Sequence, residues 1–315
     1  MKKIIAAFVW ILIFLNFYYI EPSHAQKKTF TCTVKQSYGG SLRLPFDTAL
    51  ILANAKARRK VQKKAAMYWK SLLVEKNKEV SMDELIALVK GIFQKETSLK
   101  TKKPPADGYR ITVFAKIEYE DSVIENRVRK FNKNHFMFNR FMESQQREKE
   151  LIDNLNKLEE RYSKENFLSL LVHKQRKKFF KNEFHRIVRQ LKAVELNEKA
   201  LCLWPGDENK HDYWGNLARA RDFMSKAIEL DPNYAGYYYF RGVIYGKDLF
   251  DDSALEDFSQ AIRLDPNYAD PYVSRAFIYS LSQQYDLARS DAKRACELGN
   301  CTAKNFFKAL DICGK

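Results

Sequence analysis

Ala227-Ile228-Glu229-Leu230-Asp231-Pro232-Asn233-Tyr234-Ala235 returns 34 residues later as Ala261-Ile262-Arg263-Leu264-Asp265-Pro266-Asn267-Tyr268-Ala269. Each copy closes an apolar-periodic segment on Asp-Pro, and proline stops one helix and lets the next begin. A third copy starts as Ala295-Cys296-Glu297-Leu298, with Gly299-Asn300 in place of Asp-Pro. Recurrence at this spacing means one supersecondary unit used repeatedly, each copy burying its apolar side on the next. Two units are complete. A degenerate one precedes them: Leu217, Ala218, Ala220, Met224 and Ala227 make a good second helix, while Trp204-Pro205-Gly206-Asp207 interrupts the first. Thr302–Ile312 is expected to cap the exposed end of the array.

Within a unit, Tyr238, Gly242, Tyr245, Ala254, Phe258 and Ala261 alternate aromatic and small residues, and Tyr272, Ala276, Tyr279, Ala288, Ala292 and Ala295 answer them in the next. Small residues let two helices cross closely, and aromatics fill the gaps beside them. On this pattern residues 201–315 are identified as a tetratricopeptide-repeat array. The resemblance implies a superhelix whose concave face, built by the first helix of each unit, holds a protein or peptide partner. It puts Gly236, Tyr239, Val243, Gly246 and Lys247 on that face in one unit, and Asp270, Val273, Phe277, Ser280 and Leu281 in the next. The clamp with which relatives grip a C-terminal carboxylate uses several Lys, Arg and Asn side chains. This face has only Lys247, so an extended or helical apolar segment is the expected guest. The competing expectation is that the face packs against the protein's own long helical hairpin. Arg241 with Asp257, and Arg275 with Asp291, have the spacing of helix-to-helix ion pairs, solvated side chains being the alternative.

The 315-residue chain carries a net charge of +16, but residues 201–315 hold 14 basic against 17 acidic side chains, so the excess belongs to the first two thirds. Separate modules with different partners are implied. Lys2 and Lys3 lead an apolar run from Ile4 to Ile20, broken by Asn16 and followed by Ser23-His24-Ala25. That is the form of a secretory signal peptide over residues 1–25, the alternative being an uncleaved anchor. An exported, bacterial-envelope or periplasmic location follows as an expectation, and with it a setting in which disulfides form. The five cysteines include no Cys-x-x-Cys, which argues against zinc ribbons and thioredoxin-type chemistry. Cys296 ends a repeat helix, Gly299-Asn300 reverses the chain, and Cys301 begins the cap, so Cys296 and Cys301 are the expected bridge. A helix between Cys301 and Cys313 would hold them roughly 18 Å apart. The pairing of Cys32, Cys202 and Cys313 stays open.

Residues 26–120 read as an α+β unit, giving an overall fold class of an α+β N-terminal domain followed by an all-α region. Thr29–Gln36 alternates as a strand, and Leu50, Ala53, Ala57, Val61, Ala65 and Tyr68 form one face of a helix starting near Asp47. Short strands are expected near Ser71–Glu75 and within Gly91–Leu99. Between them Met82–Lys90 is a helix, with Ser81 and Glu84 spaced as a capping box. Tyr109, Ile111, Val113, Ala115, Ile117 and Tyr119 alternate with mostly polar residues, the clearest strand in the chain. Ala49–Lys70 together with Gly108–Ile117 resembles the N-terminal domain of the flagellar-assembly protein T family, which again implies a cell-envelope setting. Arg58, Arg59, Lys60 and Lys63 make a candidate face for an anionic envelope surface, a solvated helix face being the plainer alternative.

Residues 121–200 are charged and poor in glycine and proline. Leu151, Leu155, Leu158 and Tyr162 form one helical stripe, and Phe180, Phe184, Ile187, Leu191 and Val194 another, so a long helical hairpin is expected; a coiled coil between chains is the rival. None of His24, His135, His173, His185 and His211 lies in a metal motif. No nucleophile elbow and no phosphate-cradling glycine loop occurs. The sequence therefore predicts no enzyme, no cofactor or metal, no small-molecule substrate and no nucleic-acid partner. It predicts an exported interaction scaffold, with a membrane-anchored structural component that binds anionic surfaces as the alternative.

Overall fold

The computed structural model describes residues 27–39, 46–74, 81–90, 98–102, 108–120, 135–165, 170–203 and 213–309. The expected signal peptide, the Trp204–Asp207 break and Cys313 lie outside the described residues. Three antiparallel strands, β1 (Lys27–Gly39), β2 (Ser98–Lys102) and β3 (Gly108–Glu120), form a sheet in the order β1-β3-β2. Register pairs Cys32 with Ala115, Val34 with Val113 and Phe30 with Ile117. The period-two alternation of β3 thus puts Ile111, Val113, Ala115 and Ile117 on the buried face. Helix α1 (Phe46–Val74) lies on it, and its Ala49, Ala53, Ala57 and Ala65 are fully buried, because a side chain of one methyl lets helix and sheet approach closely.

The strand expected near Ser71–Glu75 is corrected: α1 is helical to Val74. No glycine or proline interrupts it, and extending an existing helix avoids a new nucleation cost. Helix α2 (Met82–Lys90) carries the capping box in full. The Ser81 amide donates to Glu84 Oε2 at 2.7 Å, and the Glu84 amide to Ser81 Oγ at 3.2 Å.

Helices α3 (His135–Glu165) and α4 (Leu170–Leu203) form the hairpin. Their two stripes bury Leu151, Leu155, Leu158, Phe180, Phe184, Ile187, Leu191 and Val194 in one core with Val61, Trp69 and Ile111 of the sheet body. The opposite end of the hairpin enters a second core. Met137, Phe141, Ala193, Leu196, Ala200 and Leu201 pack there with Leu217, Ala220, Met224, Tyr237 and Phe240. The boundary expected at residue 200 therefore falls inside α4, whose last turns cover α5 (Tyr213–Leu230) as the first helix of a repeat would.

The array continues as α6 (Ala235–Lys247), α7 (Asp251–Leu264), α8 (Ala269–Leu281), α9 (Tyr285–Glu297) and α10 (Thr302–Ala309). A Cβ added at Gly242 would stand 2.7 Å from the Phe258 ring, so α6 and α7 meet at a distance that only glycine permits. Each unit also carries the same ionic rung. Arg241 binds Asp257 through Nε and Nη2, both at 2.8 Å, and reaches Ser225 at 3.2 Å; Arg275 binds Asp291 at 2.7 and 2.9 Å and reaches Ser259 at 2.9 Å. These bidentate pairs decide for the ion-pair reading of their spacing. Helix α10 buries Ala303 and Phe307 on the last pair, as a cap should.

Candidate functional site

The concave face is not uniformly open. At its first end α3 lies along it, through Phe136, Arg140, Glu143 and Arg147. Tyr239 is only 4% exposed. Its ring centroid is 6.2 Å from that of Phe136, 5.9 Å from Phe258 and 5.3 Å from Tyr268, and the Arg140 guanidinium sits 4.7 Å above it. Burial pushes the Tyr239 hydroxyl up to about 12. Asp270 accepts from Arg140 Nη2 at 2.8 Å and from Asn300 Nδ2 at 2.9 Å. Tyr239 and Asp270, expected to line an open groove, are thus in contact with the protein's own hairpin, because an aromatic cup with a carboxylate beside it is a good seat for a guanidinium.

Farther along, Val243 is partly buried against Tyr239, Ala254, Phe258 and Ile278. Val273 and Phe277 are partly buried against Ala276 and Phe307, with the Phe277 ring 5.2 Å from Phe306 and 5.6 Å from Phe307. Lys247 is exposed in the last turn of α6. Leu281 is 79% exposed and Phe306 46%. Val273, Phe277, Leu281 and Phe306 therefore form a largely apolar second end. Phe306, which the repeat alignment does not reach because it lies in the cap, joins that surface through its contact with Phe277.

Arg140 and Arg147 are not among the residues the repeat pattern points to. Arg140 is 4% exposed and also pairs with Glu143. Burial raises the Glu143 carboxyl to about 7, against the pull of Arg140. Arg147 donates to Asp231 at 3.1 Å and stacks on Tyr234 at 4.9 Å. The available signal for both was their placement with Phe136 on one face of a helix, at steps of four and seven.

The basic face of α1 is altered in one respect. Arg58 points into the hairpin, 3.5 Å from Glu195 and 3.7 Å from Glu198, and so does not belong to a solvent-facing anion site. Arg59 is half-buried, and Lys60 and Lys63 are exposed. Burial alone would raise the Glu195 carboxyl, but Arg58, Lys199 and Lys192 outweigh it and hold the group at about 2. Cys296 and Cys301 are joined by a disulfide, and Cys32 is buried on the inner face of β1. Among the described residues no cluster of three or more His, Cys, Asp or Glu side chains could hold a metal, and no helix is long and apolar enough to cross a membrane.

No protein-family model matches the chain, so the likeness to the flagellar-assembly domain gains nothing from that comparison, and no curated protein matches either. Solved structures do. The TPR domain of Arabidopsis OM64 is 24% identical, with 39% of this chain and 96% of that one covered and a TM-score of 0.34. The first TPR of Spaghetti (RPAP3), bound to the HSP90 peptide SRMEEVD, is 26% identical, with 39% and 92% covered and a TM-score of 0.33. A thermophilic TPR protein in Thermus thermophilus is 18% identical, with 60% and 89% covered and a TM-score of 0.33. The chain's own 34-residue period, its stacked helix pairs and the ionic rung repeated from one unit to the next give its C-terminal third the fold of a tetratricopeptide-repeat array.

Proposed function

We propose that this chain is a non-catalytic scaffold, exported under the direction of its N-terminal segment, that binds a protein or peptide partner through the concave face of its repeats. The observation that carries the reading is the apolar second end of that face, where Leu281 and Phe306 stand 79% and 46% exposed beside Phe277. Apolar side chains grouped on a concave surface are characteristic of sites that receive an apolar segment. The alternative, a structural component held to an anionic envelope surface, is weaker because Arg58 is committed to Glu195 and Glu198.

A photoreactive residue at position 281 of the full-length protein, activated in the source cell, is expected to crosslink a discrete partner. The same group at exposed Arg263 on α7 serves as the control. Equal or absent adducts at the two positions refute the reading. Export is tested by N-terminal sequencing of the mature protein, where a chain beginning at Gln26 is expected and an intact Met1 argues for an anchor.

A further inference from the structure

Two arginines of α3 land on the two copies of the same repeat turn. Tyr234 and Tyr268 occupy one repeat position, 34 residues apart. Arg147 stacks on Tyr234 at 4.9 Å and donates to Asp231 at 3.1 Å. Arg140 stacks on Tyr268 at 5.4 Å and on Tyr239 at 4.7 Å, and donates to Asp270 at 2.8 Å. Each stop offers a tyrosine at the same repeat position and an aspartate at a different one, Asp231 at the first stop and Asp270, in the first turn of α8, at the second. A guanidinium satisfies both by stacking and by charge together. Seven residues make nearly two helical turns, about 10.5 Å of rise, with a drift of only about 20° around the helix. Packed helices stand roughly 8–10 Å apart. An arginine at every seventh position therefore keeps step with the stacking of the repeats.

The fit of α3 is incomplete. Nε and Nη1 of Arg140 and Nε of Arg147 are buried without a hydrogen-bond partner, and buried donors left unpaired are costly. Beside Glu143, between the two turns, a cleft of about 460 Å³ is lined by Asn233, Gly236 and Asp265. Asp265 is the repeat counterpart of Asp231, yet its Oδ1 accepts from the Asn267 amide rather than from α3. The cleft thus offers both room and an acceptor to a side chain better placed than those of α3.

We infer that the concave face is a receptor for a helix bearing arginines seven residues apart, that α3 occupies it as an internal ligand, and that a partner helix of the same pattern exchanges with α3. This rests on the reading of the repeats as a binding surface and adds, at the end of the face that α3 covers, a charged contact to the apolar one made near Leu281 and Phe306.

The probe is a fluorescent synthetic peptide of residues 135–150, titrated into the full-length protein and its Arg140→Ala/Arg147→Ala variant. The variant, with its own ligand weakened, is expected to bind the peptide at least tenfold more tightly than the unaltered protein. A peptide with its second arginine moved by two positions is expected to bind at least tenfold more weakly than the original. In the unaltered protein, saturating peptide is expected to speed amide exchange over residues 136–147 and leave α7 and α9 unchanged. A folded variant that ignores the peptide, or that binds the shifted peptide equally well, overturns the inference. If the variant fails to fold, the exchange result decides, and unchanged exchange over residues 136–147 overturns it. Crosslinking at position 281 with no peptide exchange would keep the scaffold and discard the internal ligand.

Discussion

The two complete repeats agree in their interiors and part company on their concave faces. Inside, Arg241 with Asp257 and Ser225 is matched by Arg275 with Asp291 and Ser259, atom for atom. Both guanidiniums lie between tyrosines, Tyr238 and Tyr245 in one unit and Tyr272 and Tyr279 in the next. Outside, Tyr239 is covered by α3, whereas Leu281 at the other end of the face is largely exposed. Contacts made within a unit are fixed by the repeat, since both partners recur together. A concave side chain has its partner elsewhere in the chain or in another molecule, and nothing in the period controls what that partner is.

The strongest way to break this comparison is to truncate the two faces at matched positions. Tyr239→Ala removes a buried ring from beneath Arg140 and is expected to cost about 3–4 kcal/mol. Val273→Ala, its counterpart one repeat on, removes two methyl groups from a half-buried site and is expected to cost about 1 kcal/mol. Denaturant unfolding of the full chain measures both, and equal losses would mean that the faces are equally internal.

The interiors should behave alike. Asp257→Ala and Asp291→Ala each strand a partly buried arginine, at an expected cost of about 2–3 kcal/mol, below the range for fully buried pairs because the arginines keep some solvent contact. A difference above about 1 kcal/mol between the two would end the claim that the rungs are copies.

Acid sharpens the contrast between the repeats and the sheet-and-hairpin body. Glu195 is held at about 2, below its ordinary value. The stabilisation from its contact with Arg58 is therefore complete above its unfolded value near 4.5 and drains away as pH falls from there toward 2. Stability measured over that window should decline less steeply in Glu195→Gln than in the unaltered protein. Identical slopes would show that the charge at this position does not matter.

The smallest expected effect returns to equivalent positions. Leu249 and Gln283 lie two residues past the ends of α6 and α8 with φ of 60° and 61°, and the following amides reach back to Tyr245 and Tyr279 at 3.0 and 2.8 Å. The left-handed conformation is strained for both. Leu249→Gly and Gln283→Gly should each raise stability by about 0.5 kcal/mol, the relief exceeding the added freedom of the unfolded chain. Melting curves that shift down at either position would show that the side chains there make contacts that matter.

Periodicity alone determined most of the fold. The spacing of 34 residues set the helix pairs, alternation from Tyr109 to Tyr119 set β3, Ser81 with Glu84 set the start of α2, and two apolar stripes set the hairpin. Each of these signals is local, or recurs at a fixed distance, so neighbouring residues suffice to read it. Tertiary structure decided the rest. It carried α1 through the expected strand, ran α4 past residue 200 to serve the repeats, turned Arg58 inward to Glu195, and laid Phe136, Arg140 and Arg147 on the concave face. Arg58 and Glu195 are 137 residues apart in the chain, and Arg140 and Asp270 are 130. Whether such a charge meets water or a buried carboxylate depends on how whole helices dock, and no period in the sequence carries that information.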